Sequence, residues 1–416
     1  MHALINRLRQ GTWLTRERVL RVAAIMAIAY VASFVFLFAT ANGLNDYDGR
    51  PLGTDFSNVY AAGTYVLEGK PALPFDPASQ YAREQAIFGA ATPFYGWHYP
   101  PFFLFVAALL ALMPYMLALL VWQFAALAFC LFSIREILRC VAPELLEKHR
   151  WRWLLLALAF PAVFVNIGHG HNGFLTAALL GFALVLLDRR PVVSGILFGL
   201  LAYKPQFGLM IPLALIAGGY WRTTFAAAAT VGALVLLTTA AFGVETWKAF
   251  FESTHFTQTV VLEAGKTGWH KIQSIFAWAR MWGAPVSVAY AAQLIAILAL
   301  AACLIRLWRS RAAFALKAAV LCIAALLATP YSLDYDLMVL APAIAFLVGH
   351  GAARGFVAWE KSAIAGLWLV PLIARGVAEY AFVPLGVMTI IGVLALVLHR
   401  NATPSHDVSR EVACPP

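Results

Sequence analysis

The sequence predicts an all-α polytopic membrane protein, and three observations carry that prediction. Of its 416 residues, 62% are hydrophobic and only 12% are charged, whereas ordinary soluble domains carry roughly 25% charged residues. The apolar residues fall in long runs, Val22–Ala41 and Tyr115–Leu138 among them, of the ~20 residues that cross a bilayer as a helix. The basic residues cluster where such runs end, at Arg7–Arg21, Arg135–Arg152, Arg189–Arg190, Arg306–Lys317 and Arg354–Lys361, as they do in loops retained on the cytoplasmic side.

Those clusters also account for the net charge of +10 and remove the need for a nucleic-acid partner. They orient the chain in a bacterial inner membrane with both termini cytoplasmic. Residues 1–400 read as a single transmembrane domain and 401–416 as a disordered cytoplasmic tail. The basic start, the apolar run and Ala39-Thr40-Ala41 have the outline of a signal peptide. The run is long for that and many spans follow, so it reads as an uncleaved first span. The five cysteines show no zinc-ligand spacing and read as small apolar filler.

The elements follow in order. Val22–Ala41 crosses outward. Residues 42–114 form a first large outer loop, too polar at Asn42–His98 to be buried in lipid. It closes with Pro100–Met113, too short to cross and read as a surface helix that Pro100-Pro101 starts. Tyr115–Leu138 returns, Trp153–Val165 goes out and Phe174–Leu187 comes back. Val192–Ala202 and Phe207–Gly219 are short legs around Lys204-Pro205-Gln206, which raises the alternative of a helix broken within the membrane. Phe225–Phe242 leads to a second outer loop, 243–285. Val286–Leu304, Phe314–Ala328, Leu337–Val348, Ser362–Ala374 and Ala381–Leu398 follow, for about twelve crossings in all.

Once this topology is drawn, the polar groups that composition does not explain gather on the outer side. They are Asp55, Asp76, His98, His169, His171, Asn172, Lys204, Gln206, His270, Gln273, Arg280, Asp334 and Asp336. Ionisable groups at or within the membrane are costly and mark functional sites. They come from separate outer segments that one cavity could gather. His169 and His171 could begin a metal site, but no third ligand is near in sequence. No metal or other cofactor is expected.

Gly53-Thr54-Asp55-Phe56, Val59-Tyr60-Ala61-Ala62-Gly63, Gly69-Lys70-Pro71, Phe75-Asp76-Pro77 and Tyr99-Pro100-Pro101-Phe102 run in that order. Leu112-Met113-Pro114, Trp122, Gly170-His171-Asn172, Lys204-Pro205-Gln206, Gln273-Ser274 and Thr329-Pro330-Tyr331-Ser332 follow. In these residues the chain resembles glycosyltransferase family 87 over nearly its whole length. The resemblance implies a type C glycosyltransferase fold and a polyprenyl-phosphate-sugar donor, with mannose as the sugar.

The resemblance also implies that Asp55 is the catalytic base. A sugar hydroxyl must lose a proton as it attacks the anomeric carbon, whereas a lipid-phosphate leaving group needs cations and N–H donors rather than an acid. The alternative is that Asp55 caps a short helix at Ser57–Glu68. Lys204 is the leading phosphate partner, against a snorkelling anchor. Arg280 is a second cation candidate, against an interfacial anchor beside Trp278 and Trp282. His171 and Asn172, in place of the family's Gly-Gln-x-Asn-like turn, would bond sugar or phosphate, or simply make a polar turn. His98 and Tyr99 would stack on the sugar or join an aromatic belt. Gln206 and Gln273 complete the substrate-binding set with Asp334 and Asp336. Some relatives carry a histidine pair near this position, where this chain has Tyr335 and Asp336 instead, so it departs from the family there.

The expected function is inverting transfer of a hexose from the polyprenyl-phosphate donor to a lipid-linked or glycan acceptor on the periplasmic face, among membrane lipids. The rival readings are a transporter or lipid-carrier flippase, or a sugar-polymer ligase or polymerase. A shared outer cavity for Asp55 and Lys204 is the feature that separates them.

Overall fold

A computed structural model describes residues 2–148 and 151–402. No strand occurs among the described residues, where only isolated β-bridges interrupt an all-helical chain. A short surface helix α1 (His2–Gln10) precedes α2 (Arg16–Ala39), whose first turn is capped by Thr15 accepting from the Arg18 N–H. The first outer segment holds α3 (Thr54–Leu67) and α4 (Pro77–Phe88); Asp76 caps α4 by accepting from the Ser79 N–H at 2.8 Å. Then come α5 (Phe102–Ala111), α6 (Tyr115–Val141) and α7 (Pro143–Lys148). Helices α8 (Arg152–Leu158) and α9 (Pro161–His169) form a pair bent by 51° where Pro161 interrupts the hydrogen-bond ladder. They lead to α10 (Gly173–Leu186), α11 (Pro191–Leu200), α12 (Met210–Ala217) and α13 (Trp221–Phe242). The second outer segment is itself helical, with α14 (Val244–Phe256) and α15 (Ile275–Met281). The chain ends its described course in α16 (Val286–Arg309), α17 (Phe314–Leu327), α18 (Leu340–Arg354), α19 (Glu360–Ala381) and α20 (Leu385–Ala402). The expected tail beyond Ala402 lies outside the described residues.

Six helices are long and apolar enough to cross a membrane alone, and the bent α8–α9 pair makes a seventh. The expected count of about twelve is reached only if the shorter α10, α11, α12, α17 and α20 also complete crossings with their flanking turns. Helix α5, at ten residues, spans about 15 Å, half a hydrocarbon core. Helices α10 and α17 are buried along almost every residue, the signature of helices apolar all round at the centre of a bundle. Helices α13 and α16 lie at the edge and expose Phe225, Leu236, Ile295 and Leu298, a surface that only a lipid solvent tolerates at this density.

The basic ends meet at one pole. The Arg9 carbonyl accepts from the Trp359 N–H and the Leu8 carbonyl from the Ser362 hydroxyl, while Arg400 pairs with the buried Glu360. Helix α19 runs from this pole past the expected end at Ala374 and carries Arg375 about 22 Å beyond Glu360. The outer segments close over the opposite pole. There α3 packs on α5 at Gly63, where a Cβ would lie 2.1 Å from the Ala107 carbonyl oxygen.

Candidate active site

The site is built around the N-terminus of α3. Gly53 turns into the helix at φ 67° and leaves no side-chain cap. Its Cα faces Gly170, also left-handed at φ 62°, and a Cβ on Gly170 would lie 3.2 Å from it. Two glycines therefore let the α3 start and the α9–α10 turn meet backbone to backbone. The helix begins at Thr54, ahead of the expected Ser57, and Asp55 sits inside its first turn. Asp55 makes no capping bond, so the capping alternative is corrected: its carboxylate has no hydrogen-bond or ion-pair partner among the described residues. Burial pushes this carboxyl above the usual carboxylate range; the charges of His169, Lys204 and Lys271 pull it back, and Asp334 pushes it further up.

The Gly170-His171-Asn172 turn is held from below. Trp122 donates its indole N–H to the Gly170 carbonyl at 3.2 Å and Gln123 donates to the His171 carbonyl. Asn166 spans the turn and the neighbouring segment, donating to the Tyr335 carbonyl and accepting from the Gly173 N–H. His171 stacks on Tyr335 with centroids 3.4 Å apart and meets the Tyr99 hydroxyl through Nε2 at 3.3 Å. His169 goes elsewhere, to the Thr54 hydroxyl at 2.7 Å through Nδ1, so the two histidines do not converge as a ligand pair. Among the described residues Oδ1 of the buried Asn172 and Nδ1 of His171 have no protein partner, while the Asn172 side chain meets the Tyr99 hydroxyl. Such groups are costly to leave unmet, and here they border Tyr99 beside Asp55.

Lys204 interrupts the α11–α12 leg between two 3-10 turns, Leu201–Tyr203 and Pro205–Leu209. It is 3% exposed and pairs with Asp336 at 2.5 Å. The other Asp336 oxygen accepts from the Leu333 N–H. Asp334 accepts from the Tyr335 N–H and pairs with Arg375 at 3.3 Å. The two acidic candidates therefore already hold protein partners, and Lys204 is a buried ion pair within range of the Asp55 charge.

The remaining candidates lie around the cluster rather than in it. Arg280 spends its guanidinium on the Ala284 and Glu263 carbonyls and stacks over Trp269 at 4.6 Å, which knits the second outer segment together. Gln273 pins that segment to the Ser332 carbonyl through its backbone N–H, and its side chain packs against Gly386. His98 reaches across to the Thr257 hydroxyl at 2.9 Å. Gln206 is partly exposed, with no side-chain hydrogen bond among the described residues.

Sequence reasoning missed Lys271 and Arg375, and had Tyr335 only as a departure from the family. Lys271 follows His270 in a 3-10 turn and feels the charges of Arg375, Asp334, Asp55 and Glu379. Its only sequence signal was its place between two residues already singled out. Arg375 was hidden because the apolar run ends at Ala374 while the helix continues. Asp55 and Lys204, the pair whose separation would have favoured a transporter, sit in one charge cluster at one pole of the bundle.

Compared with known families, residues 97–330 match glycosyltransferase family 87. The match takes in Tyr99, His171, Lys204 and Lys271 and stops short of Asp55, Asp334 and Arg375, which the fold gathers onto it. No curated protein and no solved structure is matched. The match covers more than half of the chain and agrees with its apolar helical architecture: the chain belongs to glycosyltransferase family 87 and is a multi-pass membrane glycosyltransferase.

Proposed function

We propose that the chain transfers a hexose, mannose in the first instance, from a polyprenyl-phosphate donor to a lipid-linked or glycan acceptor on the periplasmic face. Asp55 is the general base. The observation that carries this reading is the Asp55 carboxylate itself: unpaired and pushed up by burial, beside Lys204 and Lys271.

The step balances with one base. The acceptor hydroxyl gives its proton to Asp55, its oxygen bonds to the anomeric carbon, and the bond from that carbon to the phosphate oxygen breaks. The sugar inverts and the lipid phosphate leaves with one more negative charge than it carried in the donor. A raised carboxyl suits the work, because a base nearer the working pH drives proton transfer more strongly. Asn172 Oδ1 and His171 Nδ1, without a protein partner among the described residues, are suited to sugar hydroxyls.

Membranes carrying the protein, supplied with a panel of labelled polyprenyl-phosphate sugars, test the reading. Transfer of label from one of them to a lipid or glycan, lost in Asp55→Asn, supports it. Transfer only from a nucleotide sugar removes the proposed donor.

A further inference from the structure

We propose that Lys271 and Arg375 form the cradle for the phosphate of the lipid-linked donor, at a mouth that opens sideways to the membrane. The proposal rests on the donor class argued above and assigns its charged end to two residues that the sequence did not single out.

The case begins with the other cations. Lys204 is buried and committed to Asp336 at 2.5 Å. Arg280 is committed to two carbonyls and a tryptophan face. The Lys204 charge is already balanced by a buried carboxylate, and the Arg280 nitrogen left without a partner, Nε, is itself buried. Lys271 is different. It is half-buried, and its ammonium has no hydrogen-bond or ion-pair partner among the described residues. Arg375 spends one N–H on Asp334 and keeps a side chain 40% exposed. A guanidinium has five N–H donors, so most of its fork is free.

The 3-10 turn that carries Lys271 packs against α19: its His270 Nε2 lies 3.9 Å from the carboxylate of Glu379, one turn beyond Arg375. The two cations therefore feel each other: burial and then Arg375 lower the Lys271 pKa, against Asp334, Asp55 and Glu379. Like charges held together in a half-buried place are unfavourable unless an anion joins them, and the carboxylate that is there, Asp334, bonds Arg375 and not Lys271. Lys271 also lies within the field of Asp55, so an anion held there shares the charge cluster of the base. The leaving phosphate goes from one negative charge to two. A cation pair therefore stabilises the transition state more than the bound donor.

The lipid source of that phosphate is argued from the flank. Arg375 follows Leu372 and Ile373 on α19 and precedes Tyr380 and Phe382, all exposed, Tyr380 at 84%. Across from them Trp282 of the second outer segment is exposed and donates to the Phe382 carbonyl at 2.8 Å. The cations thus border an apolar rim where a polyprenyl chain can stay in the bilayer while its phosphate reaches them. A water-soluble phosphate gains nothing from such a rim.

The test uses the purified full chain in nanodiscs and its binding of a labelled short-chain polyprenyl monophosphate, with inorganic phosphate as competitor. Hydrogen bonds to charged groups are worth enough for a loss of roughly 10- to 100-fold in affinity. That loss is expected in Lys271→Gln, with Lys271→Arg retaining most of the binding and inorganic phosphate competing poorly. In turnover, Lys271→Gln should lower kcat by a larger factor than it raises the donor KM. Arg375→Gln combined with Asp334→Asn, which leaves no stranded carboxylate, should weaken binding in the same way and serves as the second arm should Lys271→Gln fail to fold. Wild-type affinity in folded Lys271→Gln, or in the folded double variant, overturns the cradle while the donor class stands. A wild-type protein that transfers sugar yet does not bind polyprenyl monophosphate overturns the donor class itself. Competition by inorganic phosphate as strong as by the lipid overturns the sideways mouth.

Discussion

Replacing Asp55 by Asn removes a proton acceptor and almost nothing else. The side chain is the same size and keeps a carbonyl oxygen. The carboxylate has no hydrogen bond or ion pair to lose and does not cap α3. General-base catalysis is worth about 10²- to 10⁴-fold, or about 3–5 kcal/mol of barrier, so turnover should fall by at least the lower figure. Stability should move the other way. The folded-state pKa of Asp55 is raised by burial, so its ionised form is a liability that appears as pH rises through the ordinary carboxylate range. Asn carries no such liability, and the melting temperature at neutral pH should hold or rise. The assay is turnover with saturating labelled donor, alongside thermal unfolding and donor binding. A variant that binds donor, melts at or above wild type and turns over within a few-fold of it would falsify the base assignment. A variant that loses stability in step with activity would instead make Asp55 a structural residue. The same shift predicts that the acid limb of the wild-type rate profile lies above the roughly pH 4 of an ordinary carboxylate.

Further outcomes follow from other parts of the fold. Lys204→Met should cost about 3–5 kcal/mol because it strands Asp336 in a buried place, and Lys204→Met with Asp336→Leu should recover most of it; equal melting of the single and double variants would refute the coupling. Glu84, on α4, is buried within the first outer segment, accepts from the Tyr95 and Gly96 N–H groups, and is pushed from its ordinary 4.5 to about 7, chiefly by burial. A raised acid binds its proton more tightly when folded, so stability should fall as pH rises from about 4.5 to 7. Thermal melts of Glu84→Gln should lack that fall, and an unchanged pH dependence counts against the assignment. Cysteines placed at the exposed Ala78 and Glu252 should react with an impermeant thiol reagent applied to the periplasmic side, and one at Arg311 should not; the reverse pattern would turn the molecule over.

How much of this was legible in the sequence depends on which interaction decided each feature. The helices were legible because lipid solvation imposes long apolar runs on any crossing chain, and α2, α6, α13 and α16 fall close to where those runs lie. The boundaries were less so: α19 runs on past Ala374 because its outer end packs against the second outer segment, and packing leaves no mark in hydropathy. Asp55 was legible through its motif, but not the reason it is unpaired. That reason is the left-handed Gly53, which starts the helix early and leaves the carboxylate inside the first turn. Lys204 and Arg280 were read as free cations since an isolated basic residue in an apolar or aromatic setting looks unpaired. Their partners, Asp336 and the carbonyls of Glu263 and Ala284, are contributed by tertiary contact.

The charges of the cluster themselves argue for a site rather than a structural knot. A knot would pair every member, because an uncompensated charge away from water is costly. Here Lys204 with Asp336 and Arg375 with Asp334 are paired, and those pairs hold the broken α11–α12 leg and α19 against the 329–339 segment. Asp55 and Lys271 are left over, one of each sign, close enough to feel each other and yet not joined. Two opposite charges that could neutralise one another but are held apart require a fold that resists their closure. The Gly53–Gly170 contact on one side and the Ile272–Leu333 bridge on the other supply that resistance. A base joined to no cation can take a proton, and a cation joined to no carboxylate can take a phosphate. If the gap exists for substrate, closing it should abolish activity without harming the fold. Asp55→Glu tests this, since one added methylene keeps the charge and moves the carboxylate from its place. The expected result is a protein at least as stable as wild type with turnover lowered nearly as far as in Asp55→Asn. Full activity in Asp55→Glu would mean that the separation of the two charges is incidental.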